Sequence, residues 1–203
     1  MVNRPPAKIV RGMPMLGPFA ENWENVEKFQ ARPDDILIAT YPKSGTTWIS
    51  EIVDRILSGE DTDRSQRGAI YERVPFLEFA VPNMPTASIA YRVTFYVKVT
   101  WVLFGQDPKA AIREVARYIG KDLSEDLLEN ITQQTSFDAM KKNEKTNYTT
   151  VPSSMLDHSV SPFMRKGICG DWKNQFTVAQ NERFDEHYKR EMSNTDLSKR
   201  FLF

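Results

Sequence analysis

The chain reads as an α/β protein: a three-layer arrangement in which a parallel sheet is flanked by helices. Three observations carry that expectation. Ile36-Leu37-Ile38-Ala39-Thr40 is a short apolar run bounded by turn residues, which suits a strand buried on both faces. An amphipathic helical pattern follows it across a short loop. A second strand-then-helix pattern comes further along, and alternation of this kind argues for a parallel sheet covered by helices.

Taken in order, residues 1–31 mix Pro, Met, Gly and charge, and read as an irregular arm with a short helix near 23–29. Arg32-Pro33-Asp34-Asp35 is a turn signal before the first strand. After the loop 41–47, Ile49, Ile52, Val53, Ile56 and Leu57 recur at helical spacing and form one apolar stripe, with Gly59 placed to end it. Residues 60–90 read as loop with one short helix around Tyr71. Residues 91–104 alternate, with Val93, Phe95, Val97, Val99, Trp101 and Leu103 on one face, as in a strand or a bent pair of strands. Asp107-Pro108 then supplies an N-cap and a first helical residue, Ile112, Val115, Ala116 and Ile119 line the buried side, and Gly120 closes the helix. Ser124 caps another helix carrying Leu127, Leu128 and Ile131. Residues 143–170 are polar and turn-rich, and a connection that long is usually functional or disordered. Thr177 with Gln180 has the spacing of a capping box for a last helix whose apolar face is Phe184, Tyr188 and Met192.

Composition narrows the function. With 27 basic and 27 acidic residues in 203, the chain has no basic field for nucleic acid. A single cysteine, Cys169, allows no intramolecular disulfide and fits a reducing compartment. The first ten residues have no apolar core of a secretory signal, and no stretch is long enough to span a bilayer. A cytoplasmic protein with neither a membrane nor a nucleic-acid partner is expected.

The loop Tyr41-Pro42-Lys43-Ser44-Gly45-Thr46-Thr47-Trp48 carries the sharpest chemical signal. It precedes a helix start, where unpaired backbone N–H groups and the positive end of the dipole favour an anion. Gly45 permits close backbone approach, Lys43 adds a positive charge, and Ser44, Thr46 and Thr47 add hydroxyls. The pattern describes a cradle for phosphate or sulfate; a capped helix start with an incidental lysine is the plainer alternative. It is not a nucleoside-triphosphate loop of the Gly-x-x-x-x-Gly-Lys-Ser/Thr kind, because the lysine precedes the one glycine, which argues against a kinase.

That loop resembles the 5′-phosphosulfate loop of the cytosolic sulfotransferases. Ser161-Pro162-Phe163-Met164-Arg165-Lys166-Gly167-Ile168-Cys169-Gly170-Asp171-Trp172-Lys173-Asn174 resembles the family's second signature, which binds the 3′-phosphate of the donor. Residues 1–86 and about 105–195 both look like family sequence. The resemblance implies the P-loop-NTPase-like sulfotransferase fold in a single domain over 1–203. It implies transfer of a sulfuryl group from 3′-phosphoadenosine 5′-phosphosulfate (PAPS) to a hydroxyl or amine of a small acceptor, a phenol, aromatic alcohol or amine, with no metal. By motif, Lys43, Ser44, Gly45, Thr46 and Thr47 would hold the 5′-phosphosulfate and Trp48 would stack on adenine. Thr135, Ser136 and Phe137 would line the adenine pocket, and Phe163, Met164, Arg165, Lys166 and Gly167 would bind the 3′-phosphate side. Phe76, Phe79 and Val81 resemble part of an apolar acceptor wall; core packing explains them equally well. Lys173, Thr177, Val178 and Glu182 match a short dimer motif and imply a homodimer.

The family's catalytic base, a histidine in a Lys-Thr-His-Leu-Pro segment, has no counterpart. The two histidines are His158 and His187, and neither lies in such a segment. The Arg-Asn-x-x-Asp segment and its following serine are absent too. Residues 87–106 stand where a long central block is expected, so the domain is incomplete; a splice form, a gene-model error and a true deletion all produce this pattern. Lys43 is then the one catalytic residue left, stabilising charge on the leaving phosphate. The expected activity is weak or lost. The alternative is an inactive nucleotide-binding relative that pairs with full-length copies.

Overall fold

The computed structural model describes residues 7–40, 44–61, 67–78, 107–153, 155–168 and 171–194. The alternating segment 91–104 lies outside the described residues, as does Phe79 with Val81.

The N-terminal arm is more regular than its composition suggests. Strands β1 (Lys8–Val10) and β2 (Met13–Met15) pair antiparallel, with Lys8 opposite Met15. The turn between them, Arg11 and Gly12, has φ of 48° and 78°, the double positive φ of a tight hairpin turn. Helix α1 (Gly17–Lys28) follows with Pro18 in its first turn, and extends well beyond the short helix expected at 23–29. Lys8 and Arg11 reach across to Glu21 and Glu27 at 2.6 and 2.7 Å, and the Asn22 amide donates to the Leu77 carbonyl at 3.1 Å.

The run 36–40 departs from its expected form. Only Leu37 has a bridge partner, and no strand among the described residues pairs along the run. Ile36 and Ile38 pack against the core while Leu37 is exposed, so one face is covered and not two. The only sheet among the described residues is the β1–β2 ribbon.

The core forms where three amphipathic helices meet. Helix α2 (Thr46–Ser58) presents Ile49, Ile52, Val53 and Ile56; α4 (Pro108–Tyr118) presents Ala111, Ile112, Val115 and Ala116; α5 (Glu125–Gln134) presents Leu128 and Ile131. All ten are buried in one cluster. Each fully buried aliphatic side chain contributes about 1.5–3 kcal/mol over its exposed state. The caps are those the sequence announces. Asp107 accepts from the Ala110 N–H, Ser124 from the Leu127 N–H, and Gly59 and Gly120 end their helices at positive φ.

Helix α2 is enclosed on its polar side as well. Glu51 is fully buried, and Asp54 and Arg55 are nearly so. The short helix α3 (Ile70–Arg73) supplies the partner that makes this tolerable. The Arg73 guanidinium binds Glu51 at 2.6 Å and also Asp54, and its Nε donates to the Gly68 carbonyl at 3.0 Å. Arg55 Nε donates to Glu51 at 2.8 Å. Two acids and two bases cancel, which is the condition for holding charge inside a protein.

Helix α6 (Phe137–Lys142) follows α5 directly, capped by Ser136, and a 3₁₀ turn (Asp171–Asn174) precedes the last helix, α7 (Val178–Met192). The capping box at Thr177 and Gln180 forms as its spacing predicts, with the Thr177 hydroxyl accepting from Gln180 N–H and the Gln180 side chain accepting from Thr177 N–H. The expected apolar face of α7 is not buried: none of the helix's residues is, and Phe184 remains 47% exposed. Phe184 instead stacks on Tyr188 and meets the ring of Phe176, just before the helix, edge-on.

Candidate functional site

The N-terminus of α2 is built as an anion-binding end. Its N-cap is Gly45 at φ 97°, a conformation open to glycine and strained for other residues. No side chain caps the first turn and no acidic residue lies in it, so the amide groups and the dipole are not neutralised from within the helix. Ser44, Gly45, Thr46, Thr47 and Trp48 are half-buried there. The Thr46 hydroxyl pairs with that of Thr40, which ties the helix start to the end of the 36–40 run. Lys43 lies outside the described residues, together with Tyr41 and Pro42.

Three segments far apart in the chain meet at this helix start. The Trp48 indole N–H donates to the Thr135 carbonyl at 2.7 Å, which fixes the plane of the indole against the α5–α6 junction. The hydroxyls of that junction serve the helix ends: Thr135 Oγ1 donates to the Ile131 carbonyl at 2.8 Å, and Ser136 Oγ accepts from Ala139 N–H. Phe137 opens α6, and its ring lies directly against Gly167. A methyl group built on Gly167 would fall 2.1 Å from Phe137 Cδ2, so the backbone of the second signature touches the ring of the Thr-Ser-Phe segment. Gly167 has φ 65° at that contact.

A second bridge runs through Tyr148, which sequence reasoning did not single out. Its ring stacks on Phe163 with centroids 4.1 Å apart and lies 5.4 Å from Tyr71. Its hydroxyl oxygen is 3.5 Å from the Thr47 hydroxyl, at the limit of a hydrogen bond. Burial pushes the Tyr148 phenol above its ordinary pKa, with the Thr47 contact opposing and Tyr71 adding to the rise. Tyr148 adopts φ 63°, a left-handed conformation that is rare for a bulky side chain and marks a residue held by its surroundings.

Phe163 and Met164 are half-buried, whereas Arg165 and Lys166 are exposed along their length. Both cations converge on one carboxylate. Asp171 accepts from Arg165 Nη1 through Oδ2, and from Lys166 Nζ (2.7 Å) and Asn174 Nδ2 (3.1 Å) through Oδ1. These bonds, led by Lys166 and Arg165, hold the Asp171 carboxyl well below the usual carboxylate range. Asp171 lies within the second signature, where nothing in the local pattern marks it for this role.

His158 Nε2 donates to the Tyr148 carbonyl at 2.9 Å, which makes Nδ1 the ring's acceptor nitrogen. His187 sits on exposed α7, where Arg190 donates to its Nδ1 at 2.8 Å. Of the residues matched to a dimer motif, Lys173 lies in the 3₁₀ turn, Thr177 caps α7, and Val178 and Glu182 are exposed on its first turns. No cluster of three or more metal-ligating side chains exists among the described residues. No helix among them is long and apolar enough to cross a membrane.

Comparison with known proteins gives consistent answers. A family model described as a sulfotransferase domain matches residues 33–102 and 103–196. Sulfotransferase 1B1 of Canis lupus familiaris is 37% identical over 278 aligned positions, covering 94% of each chain. Sulfotransferase 1A1 of Bos taurus is 36% identical over 282, covering 96% of each. Among solved structures, mouse sulfotransferase SULT7A1 complexed with PAP aligns with a TM-score of 0.64 at 20% identity, over 95% of this chain and 96% of that one. Retinol dehydratase in complex with androsterone and inactive cofactor PAP aligns at 0.74 and 15% identity, over 92% and 88%. At these identities the solved structures establish the fold alone: the α/β sulfotransferase fold.

Proposed function

The chain belongs to the sulfotransferase family, and we propose that its site takes PAPS as co-substrate, the anionic 5′ end at the start of α2 and the 3′-phosphate side at Arg165 and Lys166. The observation that carries this reading is the junction of three sequence-distant segments: Trp48 bonded to Thr135, and Gly167 seated on Phe137. The donor set suits the ligand. Helix-start amides and the Thr47 hydroxyl suit a tetrahedral anion, an indole suits a base, and Arg165 with Lys166 supplies a fork and a point charge for phosphate. Lys43 completes the 5′ end on this reading. When bound, PAPS supplies the sulfuryl group. The chain's own residues hold the nucleotide and oppose charge on its phosphates, and a small acceptor, a phenol, aromatic alcohol or amine, receives the group.

Turnover is weak or lost. Neither histidine of this chain, His158 or His187, lies in a Lys-Thr-His-Leu-Pro segment. Loss of a general base alone lowers a rate by about 10²–10⁴-fold. The reading of one domain lacking a central block near 87–106 is supported by the break of the family match between 102 and 103, and by an aligned span of 278 positions against a chain of 203 residues. A homodimer through Lys173, Thr177, Val178 and Glu182 is supported by the exposure of α7, where Val178 is 76% exposed beside a groove lined by Phe176 and Phe184. A cytoplasmic setting suits the lone cysteine.

The test is a transfer assay with radiolabelled PAPS and a phenolic acceptor, run beside nucleotide titration. Saturable nucleotide binding with transfer at least about 100-fold below a full-length relative is expected. Transfer at the relative's rate would overturn the loss of activity, and no nucleotide binding would overturn the site.

A further inference from the structure

The geometry points to Asp171 as a positioning residue that sets the preference of this site for a 3′-phosphorylated nucleotide. The inference rests on the reading of Arg165 and Lys166 as the 3′-phosphate side. Asp171 is the first residue of the 3₁₀ turn, and its side chain is only 2% exposed. The two cations it grips are 58% and 47% exposed. Their inner ends are thus tied to a buried point while their remaining N–H groups face outward. Arg165 contributes Nη1 and Lys166 a single N–H to the carboxylate. A guanidinium carries five N–H donors and an ammonium three, so donors remain for a ligand oxygen.

Two further contacts fix this arrangement. Asn174 donates to the same Oδ1 that receives Lys166, at 3.1 Å, and braces the carboxylate from the opposite end of the turn. Gly167 follows the two cations directly and sits at φ 65°, a conformation glycine adopts without strain. Its backbone is backed by the Phe137 ring, which leaves the turn no space to slide. Two long cations on an exposed loop would otherwise sample many rotamers and give up that freedom on binding. The shared carboxylate removes the freedom beforehand. It also reduces the local charge from two positive to one, so recognition depends on where the donors point more than on bulk attraction.

The experiment compares wild type, Asp171→Asn and Asp171→Glu by calorimetric titration with two probes, 3′-phosphoadenosine 5′-phosphate and adenosine 5′-phosphate, each variant first checked for a cooperative thermal transition. The readout is the ratio of the two affinities, which a general loss of stability would not move selectively. Asp171→Asn lowers the ratio by on the order of tenfold, through weaker binding of the 3′-phosphorylated probe alone. Should Asp171→Asn fail to fold, the same fall in Asp171→Glu, whose carboxylate sits one methylene further out, supports the inference. An unchanged ratio in the folded variant overturns it. Tighter binding of the 3′-phosphorylated probe by Asp171→Asn also overturns it, because the carboxylate would then be a competitor of phosphate. A wild type that does not prefer the 3′-phosphorylated probe overturns the reading of Arg165 and Lys166 as well, which separates the two failures.

Discussion

Replacing Gly167 by alanine strikes the contact that joins two of the three site segments, and a second glycine in the same chain isolates the effect. At Gly167 the new methyl would lie 2.1, 2.5 and 2.7 Å from Phe137 Cδ2, Cγ and Cε2. Ordinary carbon contact is about 3.5–4.0 Å, so the ring or the turn must retreat by more than an ångström. Forced repacking of this kind costs about 1–3 kcal/mol. The left-handed φ of 65° adds about 1–2 kcal/mol for any residue with a Cβ. Gly120 has nearly the same φ, 68°, and nothing within 4 Å of its would-be methyl. Gly120→Ala therefore carries the backbone cost alone, about 1–2 kcal/mol, and Gly167→Ala about 2–5 kcal/mol. Urea denaturation measures both. Titration with 3′-phosphoadenosine 5′-phosphate then separates site from scaffold: Gly167→Ala weakens binding at least about tenfold, since the Arg165-Lys166 turn is displaced, and Gly120→Ala leaves it unchanged. Equal stability losses with equal affinities would refute the argument that the Gly167–Phe137 contact organises the site.

Arg73→Met leaves Glu51 and Asp54 buried with Arg55 as their remaining base in the network, and destabilises the fold by about 3–5 kcal/mol in urea denaturation. A loss under 1 kcal/mol would mean the network is not buried in solution. The Tyr148 phenol, raised by burial, ionises above the ordinary tyrosine range in a 295 nm titration. Because the fold favours its neutral form, that contribution is complete below about pH 10 and is lost as pH rises beyond it. Tyr148→Phe flattens this alkaline fall in stability, and parallel curves for the two proteins would count against it. Val178→Glu places a charge on the first turn of exposed α7 and shifts a homodimer to monomer in analytical sedimentation; an unchanged dimer would locate the interface elsewhere.

Local chemistry made much of this structure legible in the sequence. Asp107, Ser124 and Thr177 with Gln180 cap the helices they announce, since a cap depends on residues only three positions away. The stripe of Ile49, Ile52, Val53 and Ile56 and the terminators Gly59 and Gly120 were readable for the same reason. The β1–β2 hairpin was not, because three-residue strands are too short to show alternation and Pro14 interrupts one of them. The buried acids of α2 look in sequence like a solvated face; Arg55 on the same helix and Arg73, supplied by another helix, make their burial tolerable.

The site divides along similar lines. Gly45 and the hydroxyls at the start of α2 were legible from local pattern. The partners that draw the segments together were not: a left-handed φ leaves no mark on Tyr148, and Arg165 and Lys166 reach Asp171 from 6 and 5 positions away, outside any helical or strand period. The hydroxyls of Thr135 and Ser136 are engaged at helix ends, an arrangement local pattern does not reveal.

Calorimetric titration of the intact chain with 3′-phosphoadenosine 5′-phosphate bears most directly on whether its separated segments assemble one nucleotide site. A single saturable event, one nucleotide per chain and weakened by Trp48→Ala, is the expected result. Absence of saturable heat at millimolar nucleotide, from protein that melts cooperatively, would contradict it.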